Sequence, residues 1–107
     1  MPATVLYFRS VPQAFPFDAV RDLLGIARGL YASERDELVR DELKSIGSVL
    51  SKALFDAKRL PPESLGAKAA LRHAEEACDR LGAIVAGDIA RVVQAAAQRV
   101  RRVTGDG

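Results

Sequence analysis

The clearest helical signal lies in residues 33–62, which read SERDELVRDELKSIGSVLSKALFDAKRLPP. Ser33 followed by acidic residues predicts a helix start, and Leu60-Pro61-Pro62 after two basic residues predicts its end. Apolar side chains between these points recur at three- and four-residue steps. They form a stripe of Val39, Leu43, Ile46, Leu50, Ala53, Leu54 and Ala57, widened by Leu38, Val49 and Phe55. Such an amphipathic helix has to bury its apolar stripe against other helices.

Helical spacing continues on both sides of this segment. Upstream, residues 17–31 predict a helix, and Gly25 and Gly29 within it predict a close approach by a neighbouring helix. Downstream, a helix opening at residues 62–64 carries a third apolar stripe. That stripe consists of Leu71, Ala74, Cys78, Leu81 and Val85, and its phase continues through Ile89, Val92, Ala96, Val100 and Val103.

Helix length bears on whether residues 63–103 form one helix or two. An unbroken helix would be about 60 Å long, against about 39 Å for its partner over residues 34–59, at 1.5 Å per residue. The overhang would need a second subunit to cover it. A break between Gly82 and Asp88 would instead fold the last helix back onto the same chain. Both forms are consistent with the pattern, so we expect an all-α, up-and-down bundle of three or four helices.

The 107 residues are enough for one domain. We expect a short extended N-terminal arm over residues 1–16, the helical bundle over 17–103 and a frayed tail over 104–107. The apolar run Thr4–Phe8 makes the arm distinct. Three arrangements remain open: the arm lies on the bundle through Leu6, Phe8, Phe15 and Phe17, pairs as a strand with a second copy, or is disordered.

Composition excludes several kinds of chemistry. Hydrophobic residues make up 49% of the chain and the net charge is only +2, so a packed core is expected and a nucleic-acid partner is not implied by charge alone. One Cys and one His exclude an internal disulfide, a thiolate metal cage and a site with two imidazoles. With no targeting signal and no apolar run of membrane-spanning length, we expect a cytoplasmic protein without a membrane partner.

Catalytic motifs are also missing from the sequence. It contains no phosphate-binding loop, nucleophile elbow or zinc spacing, so we expect no enzymatic activity, no metal and no cofactor. Cys78 lies on an apolar stripe, where a thiol is inert. His73 is consistent with a half-exposed helix position, with a phosphotransfer role, or with a metal site shared across a dimer together with Glu76.

Basic residues are concentrated near the end of the chain. Five arginines, Arg80, Arg91, Arg99, Arg101 and Arg102, predict a basic stripe that contacts a phosphate backbone. The alternative is that arginines near a helix C-terminus interact with its dipole and keep the exposed face hydrated.

Three short segments resemble a known family. They are Leu38–Ile46 (LVRDELKSI), Ala70–Ala77 (ALRHAEEA) and Arg80–Ile84 (RLGAI). Together they resemble parts of the four-helix-bundle proteins encoded in intervening sequences of ribosomal RNA genes, and of related accessory proteins of retroelements. The usual Asn-Ile-Ala-Glu-Gly segment of that family is replaced here by Ser51–Phe55. The resemblance implies a cyclically assembled bundle without enzymatic activity that contacts RNA or a protein partner.

The sequence therefore favours a non-enzymatic interaction module that self-associates and docks a protein partner. The residues expected to mediate self-association are Leu6, Phe8, Val92, Ala96 and Val100. A nucleic-acid-binding bundle that uses the five arginines, and a phosphotransfer module based on His73, are the two alternatives.

Overall fold

The computed structural model describes residues 15–105 as a bundle of four α-helices. They are α1 (Phe17–Ser33), α2 (Glu37–Arg59), α3 (Leu65–Gly82) and α4 (Gly87–Gly105). The expected all-α bundle is confirmed. Most of the predicted arm, including Leu6 and Phe8, lies outside the described residues; of the arm, only Phe15 and Pro16 are described.

Short connections determine how the helices are arranged. The three connections are residues 34–36, 60–64 and 83–86. Each helix packs against the next, and α4 packs back against α1. Because connections this short cannot run the length of a helix, successive helices are antiparallel, as in an up-and-down bundle.

The start of α2 differs from the prediction. Asp36, not Ser33, is the N-cap, and its carboxylate accepts hydrogen bonds from the amides of Leu38 at 2.9 Å and Val39 at 3.2 Å. Ser33 ends α1 instead, and its hydroxyl donates to backbone carbonyls one turn earlier. Serine and aspartate both favour the N-cap position. Asp36 occupies it because it follows the turn between α1 and α2, whereas Ser33 precedes that turn.

The helix is interrupted between α3 and α4, as predicted by the alternative in which the last helix folds back onto the same chain. Gly82 is the last residue of α3, and Gly87 starts α4 with a φ of +66°. Glycine adopts this left-handed conformation without the steric penalty of a Cβ atom. Residues 63–103 are therefore two helices. The second continues to Gly105, two residues past the expected end of the bundle.

The core is built from one face of each helix and contains no polar or charged side chain among residues 15–103. Its largest fully buried members include Leu23, Leu43, Ile46, Leu50, Leu81, Val93 and Val100. Two residues predicted to widen the apolar stripe of α2 lie outside the core: the side chains of Leu38 and Phe55 are 81% and 60% exposed. Nor does any helix in the described part of the chain have the length and apolar character needed to cross a membrane.

Glycine positions also correct the expected packing. Among the described residues, no neighbouring atom lies within 4 Å of where a Cβ would stand on Gly25 or Gly29, so none of the four helices approaches closely there. The glycine that faces a neighbouring helix is Gly47 of α2, whose Cβ position is 3.8 Å from Cδ1 of Leu24. Gly25 and Gly29 instead leave part of α1 exposed.

Candidate interaction surfaces

Arg80 is engaged within the bundle and is not a free cation. Its Nε donates to Oε2 of Glu42 at 2.8 Å, and its Nη2 donates to Oε1 at 2.6 Å and to the Ser45 hydroxyl at 2.9 Å. The hydrogen bonds from Arg80 lower the pKa of Glu42 below its usual value. This two-point pair connects α3 to α2. The predicted role of Arg80 in a basic stripe is corrected accordingly.

Arg101 also has an acidic partner, because its guanidinium pairs with the carboxylate of Asp79 on α3. Arg91, Arg99 and Arg102 remain exposed. Arg91 and Arg102 lie eleven residues apart, close to three helical turns, on the side of α4 opposite its buried valines. Arg101 is exposed as well but paired, so three of the five arginines predicted for the stripe are exposed and outside the ion pairs of residues 15–105, and two of these three share a face.

Of the residues predicted for self-association, Leu6 and Phe8 lie outside the described part of the chain, and the other three are divided between the core and the surface. Ala96 and Val100 are 5% and 0% exposed, because their side chains pack into the core of the same bundle. This part of the prediction is corrected: neither side chain is available to a second copy. Val92 is 54% exposed and Ile89 is 43% exposed. The buried stripe of α4 is therefore displaced from the predicted one, with Val93 in the core in place of Val92.

An apolar groove, the α1–α4 groove, lies between the C-terminal half of α1 and the N-terminal half of α4. It is open to solvent and has a volume of about 380 Å³. Its walls are formed by Ile26, Gly29, Leu30, Ser33, Ile89 and Val92. None of the charged side chains in the described part of the chain lines it. Its surface is mostly hydrocarbon.

A second groove, the α1–α2 groove, has a different chemical character and a volume of about 590 Å³. Its floor includes the buried residues Ala27 and Leu43. Its walls carry three cations (Arg28, Lys44 and Lys52), two aromatic rings (Tyr31 and Phe55), two serines (Ser48 and Ser51) and Gly47.

Sequence reasoning missed this second groove, although a signal was present. Lys44, Ser48, Ser51, Lys52 and Phe55 recur at three- and four-residue steps and so share one side of α2. The two lysines and Phe55 on that side indicated a surface that is both basic and apolar.

The two residues considered for catalysis lie on α3 in different environments. Burial, followed by the neighbouring Asp79, raises the pKa of the Cys78 thiol to about 11. At neutral pH this thiol is protonated, and its side chain is 2% exposed. His73 is exposed. Among residues 15–105, no group of three His, Cys, Asp or Glu side chains is placed to hold a metal ion.

Comparison with protein-family models, with curated proteins and with solved structures finds no match to this chain. A function for it is therefore inferred from its own residues.

Proposed function

We propose that this chain is a non-enzymatic helical-bundle module that self-associates and docks a protein partner. The observation that carries the proposal is the α1–α4 groove, where Ile89 and Val92 remain 43% and 54% exposed beside Ile26 and Leu30. Burying the exposed half of a side chain of this size stabilises an interface by roughly 1 kcal/mol. These side chains are left out of a core that is already closed around Val93 and Val100.

Electrostatics favour a second copy of the chain as the occupant of the α1–α4 groove. In a two-fold symmetric dimer, each surface meets the same surface of its partner. A groove lined by no charge can face its own copy without like-charge repulsion, whereas the α1–α2 groove would place three cations against three cations. The apolar groove is therefore the self-complementary one of the two.

The chemistry of α3 supports the non-enzymatic part of the proposal. Cys78 has a raised pKa and no exposed surface from which to attack a substrate. His73 stands on an exposed helix face, and among residues 15–105 no hydrogen bond orients its ring as a general base is usually oriented.

Val92→Glu tests the self-association. We expect sedimentation velocity to show a concentration-dependent dimer for the wild-type chain and a monomer for Val92→Glu, because the new carboxylate would be buried unpaired in the dimer. Leu38→Glu is the matched control: it makes the same kind of change at an 81% exposed leucine outside the groove, and we expect it to leave the dimer intact. A wild-type chain that stays monomeric at about 1 mM would refute self-association, since stable interfaces have far lower dissociation constants.

Nucleic-acid binding is the second candidate function, and one observation favours it. Arg91 and Arg102 are exposed on one face of α4, and no carboxylate among residues 15–105 lies within ion-pair distance of either. Binding through phosphate contacts weakens steeply with salt. If this candidate is correct, low-salt binding of single-stranded RNA is measurable and is lost in an Arg91→Glu/Arg102→Glu variant.

Three sequence-based expectations stay predictions within this proposal. They are the cytoplasmic location, the resemblance to proteins of ribosomal RNA intervening sequences, and the phosphotransfer alternative at His73. The last has a direct test: acid-labile phosphate on the wild-type chain that is missing from His73→Ala would favour phosphotransfer over a pure interaction role.

A further inference from the structure

The α1–α2 groove combines positive charge with an apolar floor. Arg28 of α1 and Lys44 and Lys52 of α2 stand on its walls above Ala27 and Leu43. None of the described aspartates and glutamates lines the groove. Among residues 15–105, none of the three cations lies within ion-pair distance of a carboxylate, in contrast to Arg80 and Arg101 elsewhere in the bundle.

We propose that the α1–α2 groove docks an acidic amphipathic helix from a partner protein, with carboxylates of the partner on Arg28, Lys44 and Lys52 and its apolar side chains against the rings of Tyr31 and Phe55, which line the groove. This inference rests on the partner-docking half of the proposed function. It adds where the partner binds and what chemistry the partner carries.

Spacing along α2 fits a helical partner. Lys44 and Lys52 are eight residues apart, which is about 12 Å at 1.5 Å per residue. Acidic residues two turns apart on a partner helix cover about the same distance. Helix-in-groove recognition places apolar anchors on the same side of the partner, between the flanking charges. Phe55, which is 60% exposed, lies at the end of this row and offers a ring to such an anchor.

The shape and lining of the groove argue against other classes of ligand. It is open to solvent along its length, so it would not enclose most of a small molecule in the way that a binding pocket does. A nucleic acid presents a dense row of phosphates and binds through many cations, whereas this groove offers three cations beside two aromatic rings. A second copy of this chain in the groove would place its own three cations against these three cations, and like charges repel.

Fluorescence anisotropy with a labelled synthetic peptide of about 18 residues tests the proposal. The peptide carries leucines on one helical face and glutamates on both flanks. We expect it to bind the full chain, and we expect a peptide of the same composition in scrambled order to bind at least about 10-fold more weakly, since it lacks the apolar face. Binding should weaken as salt is raised, because the flanking charges are partly exposed.

Two double variants with the same change in net charge locate the site. Lys44→Glu/Lys52→Glu reverses the charge of the groove, and Lys68→Glu/Arg72→Glu reverses two exposed cations on α3. All four residues are exposed, so both variants should retain the helical circular dichroism of the wild type. We expect the first variant to weaken peptide binding by about 10-fold or more and the second to change it less than about threefold.

Defined outcomes overturn the proposal. The proposal fails if the acidic peptide does not bind at about 1 mM, or if both double variants lose binding equally. It also fails if the scrambled peptide binds equally well, or if single-stranded RNA binds more tightly than the peptide through the same lysines. A change of oligomeric state in Lys44→Glu/Lys52→Glu would assign the groove to a second copy instead. The Val92→Glu experiment reads out self-association separately, so failure of peptide binding leaves that result unaffected.

Discussion

Gly87→Ala and Gly25→Ala are the same chemical change and should shift the stability of this protein in opposite directions. Gly87 starts α4 with a φ of +66°, and it is the only residue with a positive φ in the described part of the chain. Gly25 lies inside α1. A Cβ at either position meets no atom within 4 Å. Steric clash is therefore excluded at both sites, and the backbone conformation alone decides the outcome.

The expected change in the free energy of unfolding follows from the backbone conformation of each glycine. An alanine forced into the left-handed region loses roughly 1–2 kcal/mol, and the reduced entropy of its unfolded chain offsets part of this loss. We expect a net destabilisation of about 1 kcal/mol for Gly87→Ala. In a helix interior, alanine is favoured over glycine by about 0.8–1.0 kcal/mol, so we expect Gly25→Ala to stabilise by nearly that amount.

Thermal unfolding followed by circular dichroism at 222 nm is the assay, with urea titration at 25 °C as a second measurement. About 1 kcal/mol corresponds to a shift of roughly 4–8 °C for a domain of this size. Gly87→Ala should therefore melt several degrees below the wild type, and Gly25→Ala several degrees above it. All chains must be compared at one protein concentration, because self-association would add to the apparent stability.

Gly87→Asn provides a further control, because asparagine tolerates the left-handed conformation better than alanine does. We expect it to lose less stability than Gly87→Ala. Equal shifts for Gly87→Ala and Gly25→Ala, or a Gly87→Ala variant as stable as the wild type, would show that the turn before α4 does not depend on a left-handed residue.

Three other measurements test the packing and electrostatics of the bundle. Leu50→Ala should destabilise by about 2–5 kcal/mol in urea titration because Leu50 is fully buried, whereas Leu38→Ala, at an 81% exposed position, should stay within about 0.5 kcal/mol of the wild type. Cys78, with its pKa raised from 9.0 to about 11, should react with a disulfide reagent at pH 8 about 100-fold more slowly in the folded chain than in urea, and equal rates would contradict its burial. The pKa of Glu42 is lowered in the folded state, so its ion pair with Arg80 adds stability above about pH 4.5 that is lost as the pH falls through the lowered pKa. The urea midpoint of Glu42→Gln should therefore lie below that of the wild type at pH 7 and converge with it in acid, and a constant difference across this range would refute the pairing.

Much of the fold is readable from local signals in the sequence. The stripe of α2 from Leu43 to Leu54, the stop at Leu60-Pro61-Pro62 and the helical spacing of α1 and α3 each depend on residues near one another in the chain. Periodicity of this kind reports which face of a helix is apolar, and a chain of amphipathic helices with short connections has few ways to bury those faces. The all-α bundle follows from these features.

Tertiary structure decided which apolar and charged residues remain on the surface. Along α4, Val92 and Val93 are equally apolar, and only the position of α4 against α1 and α3 buries one and exposes the other. Likewise, Arg80 and Arg91 are chemically identical, but only the packing of α3 on α2 brings Glu42 to Arg80. Contacts between residues dozens of positions apart leave no periodic trace in the sequence. The sequence therefore signals at most one wall of a groove, as on α2, and the opposite wall is known only once the helices are assembled.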